Sequence, residues 1–173
     1  MVTSSSILTS TSPMISRSSV SPSRSIKRVV VSAGLIRAAD DHPQRGKILM
    51  TRRLADVHLA GSWEFPGGKV EIGEDPVAAL KRELNEELGI EVSSPQIYSV
   101  GHHLYERAEE PDEAKDVILL VFDCQLTSGE PQCLGVSSFA WLTPSEVCEL
   151  PLPPADEDVL RRLRLELVTG SFI

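Results

Sequence analysis

The sequence predicts an α/β sandwich built on a mixed β-sheet, in one domain of about 140 residues. Three observations carry this expectation. Short apolar runs bounded by turn residues recur between Lys27 and Leu142, while only the segment after residue 74 and those near the C-terminus carry helical spacing. A chain of 173 residues is long enough to bury a substantial core. The first 25 residues differ in kind, being rich in Ser and Thr with scattered Pro and Arg, too polar to bury anything. The boundaries expected are therefore a disordered tail over 1–25 and a folded domain over 26–170.

The elements follow in order. RVVVSAGLIR (28–37) and KILMTRR (47–53) read as strands around the turn DDHPQRG, Asp40–Gly46. SWEFPGG (62–68) is a short strand broken by Pro66 and two glycines. Asp75 followed by Pro76 supplies an N-cap with proline at the first helical position, and Gly89 stops that helix after Leu88. Val77, Leu80, Leu84 and Leu88 form its buried stripe. QIYSVGHHLYE (96–106), VILLVFDCQL (117–126) and SFAWL (138–142) are further strands. Thr143 caps a short helix, and Pro154–Val168 reads as a terminal helix with Val159, Leu160, Leu163 and Leu167 inward.

Charge and composition exclude several function classes. The net charge is −8, yet residues 1–39 hold five basic residues and no acid, so the remainder sets 12 basic residues against 25 acidic ones. Such a body is a poor duplex-binding surface, because attraction to phosphates dominates nucleic-acid affinity. It accepts an anionic nucleotide only where metal ions and a few basic side chains mask the charge. No apolar run approaches the ~20 residues of a membrane span. Cys124, Cys133 and Cys148 are odd in number and lack C-x-x-C spacing, which argues against a disulfide framework or zinc site. A cytoplasmic setting is expected, or an organellar matrix if the basic, acid-free N-terminus is a transit peptide. The partners expected are a small anionic substrate, no stable nucleic-acid complex and no membrane, in a monomer or weak dimer.

The run Gly68–Ile90, GKVEIGEDPVAALKRELNEELGI, carries the functional signal. At 100° per residue Glu83, Glu86 and Glu87 fall within an arc of about 100° on one helix face. Like charges so placed repel by some tenths of a kcal/mol per exposed pair, so a purely structural helix gains nothing from them. A helix that holds Mg²⁺ against a polyphosphate needs them, because Mg²⁺ takes carboxylate and phosphate oxygens. Arg82 lies one turn from Glu86 and can fix its geometry by an ion pair. Gly67 and Gly68 allow a tight turn in which a carbonyl reaches a metal.

These residues match the pattern G-x5-E-x7-R-E-U-x-E-E-x-G-U, with U aliphatic, at Gly68, Glu74, Arg82, Glu83, Leu84, Glu86, Glu87, Gly89 and Ile90. A chance match of the seven fixed positions is on the order of one in a hundred million. The chain thus resembles the Nudix hydrolases, and over roughly 27–168 their MutT-like branch, through TRRLADVHLAG, WEFPGGK and LPPADEDVL. The resemblance implies a Nudix-type α/β/α sandwich. It also implies a Mg²⁺-dependent (alternatively Mn²⁺-dependent) hydrolase in which water attacks a phosphorus of a nucleoside diphosphate linked to a group X. Carried over by position, Gly68 (backbone carbonyl), Glu83, Glu86 and Glu87 are metal ligands. Glu83, Glu86 and Arg82 form the catalytic set, with the identity of the general base left open.

One departure stands out. MutT-like enzymes often place a further glutamate before the last sheet strand, where this chain has Gly135. Asp112, Glu113 and Asp116 are the candidates to replace it. The resemblance assigns substrate contacts to Arg53 and Lys115, with Phe65 either core or a stacking platform. His58 reads as a loop residue, and His102 and His103 as packing residues on opposite strand faces. Asp156 aligns with a base-contacting position. Ionised, it accepts only, which suits an amino edge such as that of cytosine; protonated in a buried pocket it also donates. It could equally cap the last helix. The function expected is a nucleoside triphosphate pyrophosphohydrolase of the 8-oxo-dGTP diphosphatase kind that cleanses the nucleotide pool, sparing DNA replication from mutagenic incorporation. The alternatives are a CTP, dCTP or modified-cytosine pyrophosphohydrolase, a hydrolase of another X-linked nucleoside diphosphate, and a non-catalytic Nudix module.

Overall fold

The computed structural model describes residues 25–55, 61–93, 95–107 and 110–171, without the side chains of 107 and 110–113. The tail expected over 1–25 lies, but for Ser25, outside the described residues, as does His58. The described strands are β1 (Ser25–Arg37), β2 (Ile48–Arg52), β3 (Trp63–Glu64), β4 (Gly67–Lys69), β5 (Glu91–Val92), β6 (Gln96–Arg107), β7 (Glu110–Ser128) and β8 (Ser138–Leu142). The helices are α1 (Pro76–Leu88), α2 (Pro144–Cys148) and α3 (Glu157–Thr169), the last preceded by a 3-10 turn, Pro154–Asp156.

The sheet is mixed. β1 and β7 run parallel, in register from Ser25 beside Glu113 to Arg37 beside Gln125. β1 also pairs antiparallel with β2 and β4, β2 with β3 and β8, and β7 with β5 and β6. Strand alternation then sorts the apolar residues onto two faces. Leu35, Ile48, Met50, Leu119 and Val121 pack with Val147 of α2 and with Val159, Leu160 and Leu163 of α3. Ile36, Leu49, Phe122 and Cys124 pack on the other face with Leu80, Leu84 and Leu88 of α1. Those three leucines are fully buried, each contributing about 1.5–3 kcal/mol. The result is the α/β sandwich that the sequence pattern predicts, in the three-layer form that the resemblance implies.

The ends of α1 follow their local chemistry. Asp75 accepts from the N–H groups of Val77 and Ala78, and Gly89 closes the helix at φ 68°. Ser32, fully buried on β1, donates its hydroxyl to Pro76 O at 2.7 Å, which ties the first turn of α1 to the sheet.

Several expectations need correction. β7 begins seven residues before the apolar run, because its polar first half is held between β1 and β6; ladder pairing overrides composition there. SWEFPGG forms two strands, with Pro66 O accepting from Gly34 N at 2.8 Å between them. Glu91–Val92, not expected as a strand, pairs with the end of β7 through an irregular register. The last helix starts at Glu157, not Pro154, and Leu167 is 36% exposed because the final turn carries it past the packed stretch.

Gly67 is a point of backbone approach. Its φ is 150°, and a Cβ there would lie 2.1 Å from Ser32 O, so β4 crosses β1 only with hydrogen at that position. Gly46 has φ 77° but open space around it. Gly67→Ala should therefore destabilise by about 2 kcal/mol or more, against about 1 kcal/mol for Gly46→Ala. Urea unfolding midpoints check the difference; equal losses would show that β4 does not need the approach.

Candidate active site

The acidic face of α1 is organised by one side chain. Arg82 grips Glu74 with two bonds, Nε to Oε1 at 2.9 Å and Nη2 to Oε2 at 3.0 Å. Its Nη1 donates to Glu83 Oε1 at 2.9 Å and to Glu86 Oε2 at 3.3 Å, and Nη2 also reaches Lys69 O at 3.1 Å. Glu74 in turn accepts from the N–H of Glu71 at 2.9 Å, which fastens the loop before α1. These bonds hold the Glu74 carboxyl down to about 2. Arg82 therefore fixes the spacing of carboxylates that would otherwise repel.

Gly68 sets the opposite wall. A Cβ there would fall 2.2 Å from Glu83 Cδ, so the Glu83 carboxylate lies directly on the glycine backbone. Glu87 opens into the same space, and burial together with Glu83 and Glu64 pushes its carboxyl up to about 7. A nearby cation would relieve the crowding that raises the Glu87 carboxyl. Among the described residues no three or more acidic, His or Cys side chains are gathered closely enough to hold a metal ion by themselves. Mg²⁺ needs few protein ligands, because it keeps waters and substrate phosphates in its coordination sphere. Glu83, Glu86, Glu87 and the Gly68 backbone thus fit a divalent cation by donor chemistry.

From Glu83 and Glu87 a cavity of about 630 Å³ runs along the sheet face that carries α3, within the range of small-molecule sites. Val31, Val117 and Leu119 give it an apolar floor, and Asp156 lies in its wall. Asp156 is 5% exposed, makes no capping bond to α3, and its carboxyl is pushed up to about 7, first by burial and then by Glu64. The cap reading is thereby corrected: the residue stands at the helix start but its side chain does not serve the helix. Its placement depends on Gly101 of β6, where a Cβ would sit 2.0 Å from Ala155 O. Ala155 N also donates to Tyr105 Oη at 3.4 Å.

The cavity brings together Gly68, Glu83, Glu87, Arg53, Phe65, Lys115 and Asp156. Phe65 is 3% exposed and belongs to the core, and it also lines the cavity. Glu86 and Arg82 are not in its wall; Glu86 is 59% exposed on the outer side of α1. Asp116 does not replace the missing acid. It sits on the opposite face of β7 from Lys115, bonded to Arg28 Nε at 2.7 Å and to His102 Nε2 at 2.6 Å. The side chains of Asp112 and Glu113 lie outside those described. Gly135 packs against Glu87, where a Cβ would lie 3.0 Å from Cγ, and its N–H donates to Glu87 O, so this loop supports α1 rather than supplying an acid. His103 stacks edge-on with Tyr105.

Sequence reasoning missed Glu64. Its Oε2 accepts from Arg53 Nη1 at 2.5 Å inside the cavity, and burial raises its carboxyl while Arg53 opposes the rise. The signal was present: an acid between Trp63 and the core residue Phe65, on a strand too short to be a surface hairpin.

A carboxylate-bearing helix face, a glycine turn against it and an apolar cavity between sheet and α3 define a nucleotide-hydrolase type of site, and the comparisons agree. The chain belongs to the Nudix family: the family's NUDIX domain matches residues 28–163. It is 34% identical over 139 residues to the 8-oxo-dGTP diphosphatase of Escherichia coli K12, covering 80% of this chain and 98% of that protein. It is 37% identical over 115 residues to the CTP pyrophosphohydrolase of the same organism, covering 66% of this chain and 80% of that one. Among solved structures, the MutT protein of Methanosarcina mazei Go1 superposes with a TM-score of 0.63 at 26% identity, over 81% of this chain and 95% of that chain. No helix of the described residues is long and apolar enough to cross a membrane.

The depressed Glu74 carboxyl has a pH signature. A group held near 2 when folded, against an ordinary 4.5, adds stability that is complete above pH 4.5 and lost as pH falls towards 2. Glu74→Gln should therefore lower the unfolding midpoint at pH 6 more than at pH 2.5. An equal effect at both, in thermal melts, would mean that Arg82 does not hold an ionised Glu74.

Proposed function

We propose that this protein is a Mg²⁺-dependent nucleoside triphosphate pyrophosphohydrolase, with Mn²⁺ as an alternative cation. One observation carries the reading: Glu83 and Glu87 of the acidic face line the same cavity as the buried, base-reading candidate Asp156. Glu83, Glu86, Glu87 and the Gly68 carbonyl would hold the cation. When bound, a divalent cation lowers the pKa of water and neutralises charge on phosphate oxygens. The chain's own residues do the rest. A carboxylate of the cluster takes the proton of the attacking water, a contribution of about 10²–10⁴-fold. Arg82 positions Glu83 and Glu86 without touching the substrate. Arg53 and Lys115 offer positive charge to the anionic nucleotide, and the valine floor with Phe65 takes the base. Water adds to a phosphorus of the chain, the phosphoanhydride breaks, and the products are the monophosphate and pyrophosphate.

The substrate favoured is 8-oxo-dGTP, with CTP or dCTP second. The similarity to proteins of both activities supports the pair, and Asp156 gives a physical reason to separate them. With its carboxyl near 7, neutral and ionised forms coexist at neutral pH. The neutral acid donates and accepts, as an asparagine does, whereas the carboxylate only accepts and suits the amino edge of cytosine. The ratio of kcat/KM for 8-oxo-dGTP over dCTP should therefore fall as pH rises through about 7.

Pyrophosphate release from a nucleotide panel, with Mg²⁺ and after EDTA, tests the whole reading. Glu83→Gln should stay folded and lose at least about 10²-fold in kcat. Asp156→Asn should flatten the pH dependence of the substrate ratio. Near-wild-type turnover by Glu83→Gln, or turnover untouched by EDTA, would remove the assignment.

A further inference from the structure

The floor of the cavity ends in two lysines. Along β1 the residues that line it are Ala33, Val31, Val29 and Lys27, and along β7 they are Leu119, Val117 and Lys115. Exposure rises in that order, from 2% at Ala33 and 5% at Leu119, through half-buried valines, to a half-buried Lys115 and an exposed Lys27. The lysines therefore stand where the floor meets solvent. They are ladder partners in the parallel β1–β7 pair, so both side chains leave the same sheet face from neighbouring positions. Like charges side by side across a ladder destabilise it, and nothing here offsets that cost. Arg28, the next residue, points to the opposite face and binds Asp116 at 2.7 Å, and Arg37 further along β1 binds Asp123 at 2.9 Å. Among the described residues Lys27 and Lys115 have no acid partner. Four residues of strand, about 13 Å, separate Lys27 from Val31, which is the ladder partner of Lys69 beside the glycine turn.

We propose that Lys27, with Lys115, forms a cationic mouth that draws an anionic nucleotide into the cavity by long-range attraction. This rests on the nucleotide reading above and adds to it a residue that acts before contact is made. The need for such a device lies in the charge of the protein. Residues 40–173 set 12 basic residues against 25 acidic ones, and Glu64, Glu83, Glu87 and Asp156 all line the cavity. A nucleoside triphosphate stays anionic even with one Mg²⁺ bound, so most of this surface repels it. A cleft whose mouth carries the opposite sign raises the local ligand concentration and the association rate, and the gain falls with ionic strength. Lys27 stands too far from the glutamates to share their phosphates, so its effect belongs to capture and not to the hold on bound nucleotide.

Stopped-flow binding tests this on the full chain, with Mg²⁺ and a non-hydrolysable nucleoside triphosphate that carries a fluorescent ribose ester, over a range of salt. Lys27→Gln should lower the association rate constant about fourfold at about 0.01 M ionic strength and by less than about twofold at about 0.15 M. Lys27→Glu, a change of two charges, should lower it by about tenfold or more at low salt. Lys27→Arg should keep the wild-type rate and its salt dependence. All four proteins should converge at about 1 M salt, where the screening length is about 3 Å, with dissociation rate constants within about twofold of each other. Thermal melts accompany the series, and Lys27→Gln should melt no lower than wild type, since it removes a like-charged neighbour. Wild-type association by Lys27→Glu at low salt overturns the proposal. So does a loss that appears in dissociation and persists at about 1 M salt, which would make Lys27 a contact residue. If wild type binds the analogue and releases pyrophosphate from substrate while every variant associates at its rate, only the capture role fails. A wild type that binds no nucleotide defeats both readings.

Discussion

Carboxylates crowded on one face of a helix push each other apart, and the guanidinium of Arg82 ties two of them, Glu83 and Glu86, to Glu74 in the loop before the helix. It reaches Glu74, Glu83 and Glu86 at once, and through the Lys69 carbonyl it also holds the strand that follows the glycine turn. Charge-assisted bonds of this kind are directional as well as strong, so the acids are set in place before any ligand arrives. Preorganisation matters because a site that must gather its own charges spends binding energy on that work. Arg82 stands outside the cavity wall, and its described bonds go to carboxylates and to the Lys69 carbonyl.

The cavity itself is assembled from segments far apart in sequence. α1 brings the acids, β4 brings the glycine backbone, the parallel pair β1 and β7 provides the floor, and the turn before α3 brings Asp156. Two close approaches make this assembly feasible, Gly67 against Ser32 and Gly101 against Ala155. Each allows two backbones to come nearer than any side chain would permit, and so sets where the chemistry-bearing residues stand.

This division explains what could be read from the residues alone. The boundaries of α1, the order of its acids and the ion pair from Arg82 to Glu86 follow from contacts within a turn or two, and the sequence pattern contains them. An α/β sandwich on a mixed sheet follows from alternation and helical spacing, and its three layers from the family resemblance. Glu64, the burial of Asp156 and the loyalty of Asp116 to Arg28 and His102 depend on which strands become neighbours, and no local pattern encodes that. Leu167 illustrates the same limit: the stripe continues by spacing, but the surface it would pack on does not extend that far. The departure at Gly135 was legible as a missing acid, while its cause, the packing of that loop on Glu87, was not.

The central claim is that the acidic face of α1 exists to grip divalent cations that bridge to a nucleotide's phosphates. A crystal structure grown with Mg²⁺ and a non-hydrolysable nucleoside triphosphate tests it most directly. The account predicts metal density bounded by Glu83, Glu86, Glu87 and the Gly68 carbonyl, with phosphate oxygens completing the shell and the base beside Asp156. Nucleotide bound elsewhere, with those glutamates facing only solvent, would contradict it.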